Sequence, residues 1–341
     1  MDNNNRGNNK KIIFAFIVGI LMLVFTSGII YLVYTDILKR AGIDQAENAI
    51  SYDKHFVMIA DTSDSDFWDD VYASMQEAGN EESIYVEFKS WSRENKYTMC
   101  DMVEMCIAGK VDGIIIQNNG EEGLSEILDE AVDSGIPVVT ILNDAPKTKR
   151  ISYIGINPYS VGQMYADKLI EMIPDSSDSV TVDVFLDDND IDRNQYQIFT
   201  QINTALVNNS KTSGRISVNA ITITADELFE SDEIIRNQFK YVGKAPDYAI
   251  CFSTAGTDAI YQAVIDYNLA GSTQIIGYYL SETSRQAIDA GNISMTMVIN
   301  SEEMGRCCIE ALDDYMDTGY TNSYYGIDLE FVTKGDLSDE E

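Results

Sequence analysis

Ten short apolar runs rich in branched residues recur along the chain, and amphipathic helical patterns separate most of them. Continuous apolar runs that alternate with such helices are typical of parallel sheets covered by helices on both faces. The runs form two sets of five, and 341 residues are enough for two domains. We therefore predict an α/β fold with two similar lobes. The first set is HFVMIAD, SIYVEFK, GIIIQ, PVVTIL and ISYIGI, and the second is VTVDVFL, ISVNAITI, DYAICFS, QIIGYY and ISMTMVI.

The segment from residue 12 to residue 34 carries no charged side chain. As a helix it would be about 34 Å long, enough to cross a hydrocarbon core about 30 Å thick. A cleaved signal peptide would have a shorter apolar run that ends at a small-residue cleavage site. Arg6, Lys10 and Lys11 precede the run against one acid, Asp2, so the positive-inside rule places the N-terminus in the cytoplasm. The sequence predicts one uncleaved transmembrane signal anchor at the cell membrane, with the remaining chain extracellular.

The charge of the chain restricts its partners. It contains 56 acidic and 23 basic side chains, for a net charge of -33. A chain this acidic repels nucleic acids and anionic lipid surfaces, because both are polyanions. We therefore expect no nucleic-acid partner, and we expect contact with the membrane only through the N-terminal helix.

Motifs for metal or covalent chemistry are absent from the sequence. His55 is the one histidine, and the five cysteines show no CxxC spacing. GxSxG, HExxH, Walker A and D-x-D-x-D-G patterns are also missing. The sequence predicts no metal, no cofactor and no catalytic residue.

Polar loops follow the predicted strands, and these loops are where ligands bind in open α/β sheets. They are rich in Asp, Asn, Ser and Thr, which can recognise a neutral ligand by hydrogen bonding. The same residue types are ordinary helix N-caps, so both interpretations remain open. The loops are DTSDSDFW, QNNGEE, LNDAPKTKR, LDDNDIDRN, STAGTD and YYLSETS. In the first loop, Phe67 and Trp68 stand side by side where a helix begins, either as core or as a ligand contact.

The order and spacing of several segments resemble the type 1 periplasmic sugar-binding proteins. VDGIIIQ, GIPVVTI and ISYIGINPYSVGQMYADKLIEMI are similar to the first lobe of that family. PDYAICFSTAGTDAIYQAV, IIGYYLSETSRQAIDAGNISMTMVINSEEMGR and the closing GIDLEFV are similar to the second. The resemblance runs from about His55 to Thr333. The same fold forms the effector domain of lactose-repressor-type regulators, and here a predicted membrane span stands in place of their DNA-binding segment.

The resemblance implies two Rossmann-like lobes with parallel sheets, joined by a three-strand hinge that closes around a ligand. It places the crossings near Ile156–Asn157, Ile299–Asn300 and Ile327–Asp328. The domain ranges that follow are 1–11 for a cytoplasmic N-terminus, 12–34 for the anchor, 35–53 for a stalk, 54–156 with 300–327 for the N-terminal lobe, 157–299 with 328–335 for the C-terminal lobe, and 336–341 for an acidic tail.

The resemblance also implies a ligand site. In the family, an aromatic pair after the first strand stacks against the sugar, and Phe67 with Trp68 occupies that position. By matching position, the implied contacts of the first lobe are Asp61, Phe67, Trp68, Asn118, Asn143 and Asp144. Those of the second lobe are Arg193, Thr254, Asp258 and Tyr279. Arg193 could instead be a surface residue paired with Asp190 or Asp192.

The sequence departs from the family pattern at three places. Tyr279 stands where an aspartate is usual, Ile299 replaces an expected glutamine, and LND replaces an aspartate–arginine pair. We therefore expect a modified sugar, a quorum-type furanose or a less polar ring rather than a standard monosaccharide.

Three functions remain open on the sequence. The chain could deliver its ligand to an ABC permease, or it could present the bound form to a sensor histidine kinase or chemoreceptor. Tethering by a membrane span without a lipid-modified cysteine favours sensing slightly. The alternative from another class is an extracellular carbohydrate-active enzyme that uses paired carboxylates in the cleft.

Overall fold

The structure, a computed structural model, describes residues 26–28, 52–61, 65–92, 95–176, 179–187, 193–223, 228–240 and 245–337. Side chains are described in these ranges except at residues 65, 193 and 228–231. Within the described ranges, no helix is both long enough and apolar enough to cross a membrane. The predicted span 12–34 lies outside the described residues except for residues 26–28, which are helical. The predicted membrane anchor therefore stays a prediction.

The first lobe contains a six-stranded sheet whose strands are all parallel. Its order is β11-β5-β4-β3-β1-β2, where β1 is Lys54–Asp61, β2 is Ile84–Trp91, β3 is Gly113–Ile116, β4 is Val138–Ile141, β5 is Ser152–Gly155 and β11 is Tyr324–Gly326. The helices of this lobe are α1 (Ser65–Glu81), α2 (Met99–Gly109), α3 (Leu124–Asp133) and α9 (Ser301–Thr318).

The second lobe repeats this arrangement with one difference in strand direction. Its order is β12-β10-β9-β8-β6-β7, where β6 is Val180–Asp187, β7 is Ile216–Ile223, β8 is Tyr248–Cys251, β9 is Gln274–Tyr278, β10 is Met295–Ile299 and β12 is Leu329–Thr333. Its helices are α4 (Pro158–Met172), α5 (Arg193–Asn208), α6 (Leu228–Phe239), α7 (Thr254–Asp266), α8 (Glu282–Asp289) and α10 (Lys334–Leu337). The sequence predicted parallel sheets, but β12 runs antiparallel to β10, so the second sheet is mixed.

The predicted α/β fold with two parallel-sheet lobes is confirmed, and all ten apolar runs lie on β1 to β10. β1 shows why these runs form strands. Phe56, Met58 and Ala60 belong to the buried cluster on one face of the sheet, while Val57 and Ile59 belong to the cluster on the other face. Because successive strand residues point to opposite faces, a strand covered on both faces needs an uninterrupted apolar run.

The chain crosses between the lobes three times: from β5 to α4, from β10 to α9, and from β11 to β12. The crossings are hydrogen-bonded to one another. The amide of Ile327 donates to the carbonyl of Gly155 at 3.0 Å, and the amide of Asn300 donates to the carbonyl of Asp328 at 3.0 Å. The three crossings therefore lie side by side and form one hinge.

A shared pattern follows two of the crossings. Asn157 caps the N-terminus of α4 and Asn300 caps that of α9. The side chain of Asn157 accepts from two backbone amides, and that of Asn300 accepts from one. Five residues after each cap stands a glycine at a close helix contact. An added Cβ at Gly162 would lie 2.7 Å from the carbonyl oxygen of Ile198 on α5, and one at Gly305 would lie 2.5 Å from that of Val71 on α1. Each of these two crossings thus leads into a helix of the lobe that the chain enters, and that helix packs tightly against the helix that follows the first strand of the same lobe.

Candidate functional site

The C-terminal ends of β1, β3 and β4 place three of the predicted residues at one edge of the first sheet. Asp61 ends β1, and Asn118 and Asn143 each stand two residues beyond the ends of β3 and β4. The backbone amide of Asn118 donates to the carbonyl of Asn143 at 3.2 Å, and that of Asp61 donates to the side chain of Gln117 at 3.0 Å. The structure therefore brings the predicted polar residues of the first lobe together.

The carboxylate of Asp144 is engaged within its own lobe. Arg150 donates from Nε to Oδ1 at 2.5 Å and from Nη2 to Oδ2 at 2.7 Å, and Thr140 Oγ1 donates to Oδ1 at 2.8 Å. Such a two-point pair fixes the geometry of the carboxylate. Asp144 is therefore paired with Arg150, which stands six residues later in the chain.

The two asparagines of this edge differ in their engagement. Asn118 uses both ends of its side chain, since Nδ2 donates to the carbonyl of Asp144 at 2.8 Å and Oδ1 accepts from the amide of Gly120 at 2.9 Å. Asn143 is half-buried, and its side chain makes no hydrogen bond to another described residue. Asn143 is therefore the better placed of the two to bind a ligand.

Phe67 and Trp68 lie in the first turn of α1, and both are only 2% exposed. Their ring centroids are 5.0 Å apart with an interplanar angle of 66°, an edge-to-face contact. Both belong to a buried cluster that extends through the two lobes. In this structure the pair is thus packed as core, and a ligand could reach it only after neighbouring side chains had moved.

Tyr279 of the second lobe covers Phe67. Its ring lies 5.6 Å from that of Phe67 at 81°, and its hydroxyl donates to the carboxylate of Asp70 on α1. The side chain is 7% exposed. Burial, followed by the hydrogen bond to Asp70, raises the pKa of the Tyr279 hydroxyl well above its ordinary value. Tyr279 therefore stays neutral and acts as a hydrogen-bond donor across the boundary between the lobes.

The backbone of Tyr279 is in the left-handed region, with φ of 61°. This conformation costs a non-glycine residue about 1–2 kcal/mol, so neighbouring groups must hold it. The amide donates to the carbonyl of Met297 at 2.8 Å, and the carbonyl accepts from Thr296 Oγ1 at 2.6 Å. β10 thus fixes the backbone of Tyr279.

The start of α7 contributes Thr254 and Asp258 to the same region. Asp258 is half-buried, and its Oδ1 is buried without a hydrogen-bond partner among the described residues. Burial, followed by the negative charge of Asp66 on α1, raises the pKa of the Asp258 carboxyl. Asp66 and Asp258 therefore approach each other from opposite lobes. Arg193 begins α5, and its side chain is outside the described part of the structure.

Sequence reasoning missed Asp66 and Asp70, although one signal could have found them. They are four residues apart on α1, which places them on one helix face, and they flank the aromatic pair in the sequence. Together with Asp258 and Asn143 they offer acceptors to hydroxyl or N–H donors. Among the described residues, no group of three or more His, Cys, Asp or Glu side chains could hold a metal ion.

Comparisons with known proteins agree with the fold described above. The family model described as "Periplasmic binding protein domain" matches residues 56–320. No curated protein matches the chain.

Among solved structures, the chain is similar to GanP, a glucose-galactose binding protein from Geobacillus stearothermophilus, with a TM-score of 0.72 and 23% identity over 84% of this chain and 99% of that one. It is similar to a chain of the XylFII–LytSN complex, with a TM-score of 0.70 and 24% identity over 83% and 98%. It is also similar to a sugar ABC transporter (sugar-binding protein) from Bacillus halodurans, with a TM-score of 0.71 and 21% identity over 84% and 99%. At these identities the likeness supports the fold alone.

Proposed function

The chain belongs to the periplasmic binding protein domain family, and from that premise we propose that it binds a small sugar or sugar-like molecule between its two lobes. The observation that carries the proposal is the contact of Tyr279 with Phe67 and Asp70, because it brings the strand-end loops of the two sheets against each other. Ligands of open α/β sheets bind beyond the C-terminal ends of the strands, so a molecule held there touches both lobes.

The residue types around this contact suit a sugar. Once the covering side chains have moved, the rings of Phe67 and Tyr279 match the apolar C–H face of a sugar ring. The acceptors Asp258 and Asn143 match its hydroxyl donors. The similarity to GanP, a glucose-galactose binding protein, supports this ligand class. Binding then favours the closed arrangement of the lobes in proportion to the difference in ligand affinity between the closed and open states.

For the partner, we propose that the bound form is presented to a sensor histidine kinase at the cell membrane. The uncharged run at residues 12–34 supports a membrane anchor with an extracellular binding domain. The similarity to a chain of the XylFII–LytSN complex supports assembly with a second protein. Delivery to an ABC permease is the alternative, and the similarity to a sugar ABC transporter component favours it.

A thermal-shift screen tests ligand binding. The full-length protein in detergent is heated with single sugars, polyols and nucleosides, and its unfolding temperature is measured for each. A ligand present at 100 times its dissociation constant adds about 2.7 kcal/mol to the free energy of unfolding. A stabilising sugar supports the proposal. Turnover of a glycoside in the same samples would instead support the enzyme alternative, and stabilisation only by nucleosides would contradict the ligand class.

The position of the site is tested with the ligand that the screen finds. Asp258→Ala removes the buried acceptor, and we expect affinity to fall at least about tenfold, since a hydrogen bond to a charged group is lost. The matched control is Glu130→Ala, which removes an exposed acid on α3. Equal affinities of the two variants would place the ligand elsewhere. Isothermal titration calorimetry provides the dissociation constants.

A further inference from the structure

The contact made by Tyr279 joins the two lobes directly, through side chains of the protein alone. Tyr279 follows β9 in the second lobe, whereas Phe67 and Asp70 both lie on α1 of the first lobe. The ring contact and the hydrogen bond therefore exist only while the lobes are close together. A contact that is present in the closed arrangement and absent from the open one shifts the equilibrium between them towards closure.

The backbone aims Tyr279 at the other lobe. Its left-handed conformation is held by two hydrogen bonds from β10, as described above. Ser284 at the start of α8 also donates to the Tyr279 carbonyl, at 3.4 Å. Because the backbone of Tyr279 is already held, the contact with Asp70 orders only side-chain torsions. It is therefore more favourable than a contact that must also order a backbone segment.

The equivalent position in the first lobe is Leu142, whose apolar side chain cannot form a hydrogen bond to the other lobe. Leu142 follows β4 as Tyr279 follows β9, and it has a left-handed φ of 59°. Its carbonyl accepts from Tyr153 within the same lobe at 2.8 Å, and Asn194 of the second lobe donates to it at 3.5 Å, the limit of a hydrogen bond. Of the two matched positions, only that of Tyr279 presents a side chain that binds the opposite lobe firmly.

We propose that Tyr279 and Asp70 form an interlobe latch that keeps the two lobes closed without ligand. The latch is an intramolecular substitute for part of the closing force that a ligand supplies. This proposal concerns the ligand-free chain and goes beyond the proposed function, so it can be tested before any ligand is identified.

The experiment measures the distance between the lobes in the ligand-free, full-length protein. Spin labels are introduced through unnatural amino acids at the exposed positions Ser125 on α3 and Gln262 on α7, which leaves the native cysteines unlabelled. Double electron–electron resonance then gives the populations of closed and open molecules. We expect the wild type to show mainly the shorter distance.

Tyr279→Phe removes only the hydroxyl, and we expect the ratio of open to closed molecules to rise about tenfold. Asp70→Asn should shift the ratio in the same direction, and the double variant should shift it no further than the larger single effect, because both changes break one contact. Asp70 is exposed, so its variant keeps the proposal testable if Tyr279→Phe fails to fold.

The matched control is Tyr52→Phe, which removes a hydroxyl that donates to Asn80 within the first lobe at 2.9 Å. It should leave the distance distribution unchanged. The latch is refuted if the wild type is already open, if Tyr279→Phe gives the wild-type distribution, if the two single effects add, or if Tyr52→Phe opens the lobes equally.

Discussion

Leu142 in the first lobe and Tyr279 in the second occupy the same place in two sheets of the same strand order. Leu142 follows β4, which lies between β3 and β5, and Tyr279 follows β9, which lies between β8 and β10. The amide of Leu142 donates to the carbonyl of Ile154 on β5, and that of Tyr279 donates to the carbonyl of Met297 on β10, both at 2.8 Å. The backbones of the two loops are alike, so the side chain makes the difference. The shorter side-chain hydrogen bond to the Leu142 carbonyl comes from Tyr153 of the same lobe, whereas the Tyr279 side chain binds Asp70 of the other lobe. The two lobes therefore share a strand order, but the side chain that follows β9 contacts the other lobe through Asp70.

The helices that follow β1 and β6, which are α1 and α5, also differ between the two lobes. The glycine contacts match Val71 with Ile198, because Gly305 lies against the one and Gly162 against the other. By this match, Asn194 and Gln195 occupy the positions in the second lobe that Phe67 and Trp68 occupy in the first. Gln195 is buried and accepts from the amide of Asp187 at 3.0 Å. The first lobe therefore builds its helix start from apolar packing and the second from hydrogen bonds.

The largest expected effect tests this contrast. Trp68→Ala should lower the free energy of unfolding by about 3–5 kcal/mol, because it leaves a cavity in the shared core. Gln195→Ala should cost about 1–3 kcal/mol, because it removes the hydrogen bond that the Asp187 amide donates to the buried Gln195 side chain. Urea unfolding of both variants measures the difference. If Trp68→Ala costs less than Gln195→Ala, the aromatic pair does not act as core.

A smaller effect tests the equivalence of the two helix pairs. Gly305→Ala and Gly162→Ala each force a Cβ against a backbone carbonyl, so both should lose about 1–3 kcal/mol of stability. Gly109→Ala, at a helical glycine with open space around it, is the control. Urea midpoints give the losses. A loss at only one of the two contacts would show that the helix pairs are not equivalent.

The smallest effect concerns a carboxyl that has no counterpart in the first lobe. β1 and β6 both have eight residues, so Asp183 matches Val57. Asp183 is 5% exposed, and burial raises the pKa of its carboxyl, although Asn219 donates to it at 2.8 Å and opposes the shift. The folded chain therefore binds this proton more tightly than the unfolded chain, and stability falls as pH rises through the raised pKa.

Asp183→Asn removes that ionisation and keeps an acceptor for Asn219. We expect the variant to match the wild type at about pH 3 and to become the more stable of the two as pH rises towards about 7. Urea unfolding across this range gives the difference, which should be smaller than the losses above. Glu130→Gln, a change of an exposed acid, should alter stability by less than about 0.5 kcal/mol at every pH. A constant difference between Asp183→Asn and the wild type would contradict the pKa shift.

The sequence predicts the strands well because most of them are buried on both faces and therefore need continuous apolar runs. β11 escaped prediction because it has three residues, and Tyr324 and Gly326 on it are exposed, so it carries no apolar run. The direction of β12 also escaped, since an apolar pattern does not record whether a strand runs parallel or antiparallel.

The candidate site is harder to predict than the fold, because its contacts join distant parts of the chain. Tyr279 and Asp70 are 209 residues apart in the sequence, and no periodic pattern relates them. The residue type of Tyr279 gave no sign of a left-handed backbone, because that conformation is imposed by β10. The assignment of ligand contacts from Asp61 to Tyr279 stays a prediction until a ligand is bound.

The crossing that leads into α9 has a consequence for how the chain is made. α9 packs on α1 through Gly305 and Val71, which are separated by more than two hundred residues. During synthesis, the first lobe must wait for its covering helix until the second lobe has almost entirely emerged. Pairings this distant in sequence slow folding, because a long loop must close before they form. The lobe whose translation begins first is therefore completed only near the end of synthesis, when α9 and β11 have emerged.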